Sequence, residues 1–121
     1  MTDITDTIDT YLAMWNEEDA AARAALIAKA WTDEARYRDP LLEADGHDGL
    51  DAMVLTVHGH YPGQRFRRTS GIDVHHDTAR FGWELFAPDG TVTVAGIDVA
   101  QVADDGRLAT ITGFFGPLPE A

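Results

Sequence analysis

The spacing of apolar residues changes partway along this 121-residue chain, and that change sets the fold class. Up to about Pro62 they recur with the 3.6-residue period of helices; from Gln64 onward they alternate with the period of two that belongs to strands. Ile4, Ile8, Tyr11, Leu12 and Trp15 form one stripe of a first helix, with Thr2 or Asp3 as its cap and Asn16 as its stop. Glu17, Glu18 and Asp19 open a second, Ala-rich helix with Ala22, Leu26, Ala30 and Trp31 on its inner side. Ala35 to Arg38 is a short strand ended by Asp39-Pro40, since the residue before proline avoids helical angles. Leu41 to Gly46 is a loop or a return strand. Asp48 caps a third helix bearing Leu50, Met53, Val54, Val57 and Tyr61, which Tyr61-Pro62-Gly63 ends. Four strands follow: Arg65 to Val74, Ala79 to Phe86, Thr91 to Val102 and Arg107 to Phe115. His76-Asp77, Asp89-Gly90 and Asp105-Gly106 separate them. The expected plan is one α+β domain over residues 1–121, with three helices on one face of a curved antiparallel sheet.

Charge and composition narrow the function. With 21 acids against 9 bases, the net charge is −12. Such a chain lacks the basic stripe that nucleic acid or an anionic membrane requires. It has no cysteine, so a disulfide framework, thiol catalysis and cysteine-ligated zinc are out. No apolar run approaches a membrane span, and the acidic start MTDITDTID lacks a signal peptide's basic region. A soluble, cytoplasmic domain is the expectation. No GxGxxG, GxxxxGK[ST] or GxSxG pattern occurs, which removes the familiar phosphate loops and the serine-hydrolase elbow.

Three residues stand out as candidates for chemistry. Asp98 shares a strand face with Val92, Val94, Gly96, Ala100 and Val102 by alternation, so this acid is buried or beside a cavity. Burial without a cation raises a carboxyl pKa, and a neutral acid in an apolar pocket can donate a proton or a hydrogen bond. The alternative is a structural Asp bonded to backbone or paired with an arginine. Asp39 leaves its strand on the same face as Tyr37 and opposite Arg36 and Arg38; an Asp-Pro there also serves simply as a turn. Tyr11, on the apolar stripe, needs a hydroxyl partner if buried, either at a site or in the core. Phe81, Trp83 and Leu85 share one face and would wall a pocket. The histidines do not suggest metal: His75 and His76 point to opposite faces, and His58 and His60 lack the i, i+4 spacing of helical zinc sites. His58 follows Val54 by four and is either a pocket acid–base or a core histidine.

The order of elements, with YLAMWNEED at 11–19, ARYRDP at 35–40, VAGIDV at 94–99 and GFFG at 113–116, resembles the nuclear transport factor 2-like superfamily. That superfamily includes ketosteroid isomerase, limonene epoxide hydrolase and the SnoaL-like polyketide cyclases. The stretch RFRRTSGIDVHHDTARFGWEL looks most like bacterial SnoaL-like proteins. The resemblance implies a cone-shaped fold and, by analogy with the isomerase, Asp39 as general base with Tyr11 and a protonated Asp98 as oxyanion donors. Trp15, Val54, Val57, His58, Tyr61, Phe81, Trp83 and Phe115 would then bind an apolar small molecule, without metal or other cofactor. The sequence departs from the isomerase at Val57, where a supporting tyrosine would align. A cyclase-like site would pair Asp98 with His58 or His75, and an epoxide-hydrolase-like site would need Arg68 or Arg80 turned inward. The outer face of the sheet, with Ile97 and Val99, implies a homodimer.

Overall fold

The computed structural model describes residues 3–121, so the capping alternative at Thr2 lies outside the described residues. Asp3 does cap α1 (Ile4–Asn16), its Oδ1 accepting from the Thr5 N–H at 2.8 Å. Helix α2 (Ala20–Ala30) is capped by Asp19. Strands β1 (Trp31–Arg38) and β2 (Glu43–Asp45) precede α3 (Gly46–His60). Then come β3 (Arg65–Arg68), β4 (Asp73–His75), β5 (Thr78–Phe86), β6 (Val92–Val102) and β7 (Leu108–Phe115). No helix among the described residues is long and apolar enough to cross a membrane.

The sheet runs β2-β1-β7-β6-β5-β3, with β4 also paired to β5. Every pairing is antiparallel except β1 with β7, which is parallel, so the sheet is mixed where an antiparallel one was expected. Parallel neighbours need a long connection, and here most of the chain supplies it. The expected strand Arg65 to Val74 is broken in two. Gly82 N–H donates to the Ser70 hydroxyl at 2.8 Å and Thr69 N–H to the Gly82 carbonyl at 2.9 Å, so the chain bends at Ser70-Gly71 between two pieces of ladder.

Two helical details also differ from expectation. Arg23, Ile27 and Ala30 are the fully buried residues of α2, whereas the expected Ala22 and Leu26 are half-buried, with Leu26 packed against the core; Trp31 is buried as expected but begins β1. Arg23 is tolerated inside because its Nε meets Asp51 Oδ1 at 2.6 Å and its Nη1 meets the Glu17 carbonyl at 2.8 Å. Helix α3 starts after Asp45, and Asp48 sits in its first turn instead of capping it. Leu50, Met53, Val54 and Val57 bury its inner face as their spacing requires.

At the end of α1 the Asn16 amide imitates a strand neighbour. Its Nδ2 donates to the Phe66 carbonyl at 2.9 Å and its Oδ1 accepts from the Phe66 N–H at 2.7 Å. This locks α1 to edge strand β3 and sets Trp15 against Phe66, ring centroids 5.0 Å apart. One wall of a pocket is thereby fixed.

Candidate active site

A narrow cavity of about 60 Å³ lies between α1, the end of α3 and the concave face of the sheet. Tyr11, Asp39 and Asp98 all line it, so three residues from three separate stretches converge. Trp15, Val57, Tyr61, Trp83 and Phe115 line it too. Three other expected contacts do not. Val54 is buried in the core, and Phe81 packs edge-on against Tyr11 with centroids 6.2 Å apart. His58 directs Nε2 to the Trp15 carbonyl at 2.7 Å, which makes it a link between α3 and α1.

Asp98 is the floor of the cavity, 2% exposed. Its place on β6 aims it inward, as alternation predicts, and two donors bracket it. The Tyr11 hydroxyl donates to Oδ2 at 2.8 Å, and the Trp83 indole N–H donates to Oδ1 at 2.9 Å. Burial raises its pKa to about 7; the two hydrogen bonds oppose that rise and the charge of Asp39 adds to it. Tyr11 is itself held well above the ordinary tyrosine range, first by burial and then by the Asp98 charge.

Asp39 forms the rim, half-buried, and divides its two oxygens between two tasks. Oδ1 accepts the N–H groups of Leu41 and Leu42, both at 2.8 Å, which is the turn that an Asp-Pro pair suggests. Oδ2 accepts the Tyr37 hydroxyl at 2.6 Å, as the shared strand face implies. Burial, followed by the charges of Asp98 and Asp39, pushes the Tyr37 phenol far up. Turn and site are thus the same side chain.

Sequence reasoning overlooked Tyr37 as a pocket residue and missed Gly113. Gly113 faces Asp98 in register across β6 and β7. A Cβ there would come within 2.9 Å of Asp98 Oδ1 and 3.1 Å of the Asp39 Cβ. The missing side chain is what lets the two carboxylates share one pocket. A glycine inside a strand is the available signal for such a close approach.

The histidine and arginine pairings that the resemblance offered are not formed. His75 is exposed and its Nδ1 lies 3.1 Å from that of His76, while His58 is committed to α1. Arg80 pairs with Asp73 at 2.9 Å, and Arg68 reaches Asp9 and the Ser70 carbonyl. Among the described residues no arginine, lysine or histidine lines the cavity. Among the described residues no cluster of three His, Asp or Glu is placed to hold a metal ion. A wider, open groove between α1 and β3 carries Arg65, Arg67 and Arg68, but Glu84 and Asp9 already pair with two of the three.

Comparison with known proteins places this geometry in a family. The SnoaL-like domain family matches residues 8–111. A proposed isomerase of the SnoaL-like family from Agrobacterium tumefaciens str. C58 is 38% identical, with a TM-score of 0.89 over 97% of this chain and 100% of that one. Two more distant structures share the fold. One is an NTF2-like protein of unknown function from Exiguobacterium sp. 255-15: 22% identity, TM-score 0.73, 93% and 99% coverage. The other is a proposed SnoaL-like polyketide cyclase from Jannaschia sp. CCS1: 16% identity, TM-score 0.68, 95% and 89% coverage. No curated protein matches. With the fold and the family match agreeing over nearly its whole length, the chain belongs to the SnoaL-like family of NTF2-like proteins.

Proposed function

We propose that this protein is a small-molecule enzyme, independent of any cofactor, that moves a proton next to a carbonyl. The reading covers isomerase and polyketide-cyclase chemistry, which share an enolate. Asp39 takes the proton from carbon, the C–H electron pair becomes a C=C bond, and the carbonyl π pair moves onto oxygen. Tyr11 and neutral Asp98 hydrogen-bond that oxygen. Return of the proton from Asp39 to another carbon completes an isomerisation. The observation that carries the reading is the pairing, in one pocket, of a rim carboxylate with a buried carboxyl whose pKa is raised to about 7.

Trp83 directs where the Asp98 proton goes. An indole N–H only donates, so Oδ1 stays an acceptor and the acid proton belongs on Oδ2, beside Tyr11. Donors to a ligand oxygen become free when Asp98 is protonated. Activity should therefore fall as pH rises through about 7. The 38%-identical relative, a proposed isomerase, supports this class.

Nothing favours epoxide hydrolysis, because the arginine it needs is absent from the cavity walls. A non-catalytic binding domain would be favoured by an arginine on Asp98; its partners are Tyr11 and Trp83 instead. The test is deuterium exchange of the α-protons of bound ketones and enones in D2O. Asp39→Asn should abolish it, and unchanged exchange would remove Asp39 as base.

We also propose a homodimer through the outer face of the sheet. There Ile97 (46% exposed) and Phe114 (58%) lie opposite each other in register, and a second copy of this face would cover them. Light scattering at micromolar concentration should give twice the monomer mass; a monomer would contradict it.

A further inference from the structure

The pocket has an unbalanced charge. Asp39 and Asp98 together accept five hydrogen bonds, from Tyr37, the Leu41 and Leu42 N–H groups, Tyr11 and Trp83. All five donors are neutral. An ionised carboxylate has about four acceptor positions, so acceptor capacity remains on both. Among the described residues no ion pair includes either carboxylate, and no basic side chain lines the cavity. Buried carboxylates without a cation are costly, and folded proteins normally supply one.

The rings around the pair suit a cation as well. Trp15, Phe66, Trp83 and Phe115 form a connected cluster on the cavity wall, with centroids 5.0 to 5.9 Å apart along the chain. Aromatic faces attract ammonium groups. The net charge of −12 would also concentrate cations near the molecule. A cavity of about 60 Å³ admits a small head group, leaving an apolar body at the mouth beside exposed Leu41.

We propose that the ligand of this pocket carries a protonated nitrogen, a primary or secondary ammonium on an apolar body, which supplies the cation the chain omits. This rests on reading the pocket as the ligand site, and not on which reaction follows. Its N–H groups fill the free acceptor positions of Asp39 and Asp98. Where the ammonium lies near a carbonyl, Asp98 is ionised in the complex, so an ammonium N–H, beside Tyr11, takes the place of neutral Asp98 as donor to the enolate oxygen. The titratable groups facing Asp98 are Tyr11 from α1, Tyr37 and Asp39 from β1 and its end, and Tyr61 from the end of α3. Burial raises the Asp98 pKa to about 7, so a cation bound against its carboxyl should expel its proton.

Calorimetry on the full chain at pH 7 tests this with matched probes: benzylamine against benzyl alcohol, and cyclohexylamine against cyclohexanol. Each amine should bind at least tenfold more tightly than its alcohol. Two buffers of different ionisation enthalpy should show release of up to one proton. Asp39→Asn should cut the preference at least fivefold, and Asp98→Asn should eliminate the proton release. Equal binding, no binding, proton uptake, or a preference that survives both substitutions would overturn the proposal. Deuterium exchange of neutral ketones reads the proposed chemistry separately. Exchange without amine preference removes only this inference, and amine preference without exchange removes only the chemistry.

Discussion

The floor and the rim of the pocket hold the same functional group in opposite ways. At the floor, Asp98 is 2% exposed and is held by side chains from α1 and β5, 87 and 15 residues away in sequence. At the rim, Asp39 is half-buried, and its partners lie within three residues: Tyr37, Leu41 and Leu42. One carboxyl depends on the whole fold, the other on a turn. Desolvation therefore dominates the first, while the second is oriented locally and stays open to solvent. In the proposed mechanism two identical groups act as an acid and a base by position alone.

Substitutions at the two ends should separate these roles. The largest effect is expected from Asp39→Asn, with α-proton exchange reduced about 10²- to 10⁴-fold, the range for removing a general base. Thermal stability should change far less, because the amide oxygen can still accept from Leu41 and Leu42 and the amide NH2 can donate to the Tyr37 oxygen, reversing that hydrogen bond. Equal losses of stability and activity would show that the rim is as structural as the floor.

Asp98→Asn should do the reverse to stability. A carboxyl whose pKa is raised in the folded state binds its proton more tightly there than in the unfolded chain. Stability is thus fullest below the unfolded value near 4 and declines as pH rises to about 7. The whole decline is on the order of 4 kcal/mol. Asparagine cannot ionise, so denaturant unfolding of this variant should lack that decline, and at pH 8 it should be the more stable protein. A parallel pH dependence in both would contradict burial as the cause.

Removing one donor at the floor should have a smaller effect. Tyr11→Phe and Trp83→Phe each delete a hydrogen bond that favours the ionised form. Each should raise the Asp98 pKa further and cost about 1–3 kcal/mol at pH 8, with less loss at pH 5. A loss independent of pH would mean that the rings matter only for packing. Gly113→Ala should cost about 1–2 kcal/mol by overpacking, and should disturb both carboxylates at once. An unchanged pH profile in that variant would show that floor and rim are not coupled through β7.

What could be read in the sequence follows the same division. Period-two alternation gives the face of a strand residue, so Asp98 pointing inward and Tyr37 sharing a face with Asp39 were both legible. Alternation does not give the neighbouring strand. The parallel β1–β7 pairing is tertiary and no local pattern specifies it, and Gly113 opposite Asp98 depends on the β6–β7 register, which shifts between Gln101 and Val102. Trp83 was legible as a wall residue but not as a donor, because its partner is set by the β5–β6 register. On α2 the apolar pattern misleads by about one position, since a buried arginine with its own carboxylate counts as polar in any such reading. The bend at Ser70-Gly71 was signalled by its turn-forming residues within an otherwise alternating stretch.

The proposed chemistry turns on the protonation state of a single buried group. Site-specific 13C NMR of the Asp98 carboxyl across pH 3 to 10, assigned by comparison with Asp98→Asn, reads it directly. A titration midpoint near 7, rising further in Tyr11→Phe, is the result expected from burial opposed by two neutral donors. A midpoint near or below 4 would mean an ionised, structural aspartate and would remove the neutral donor on which the proposed chemistry depends.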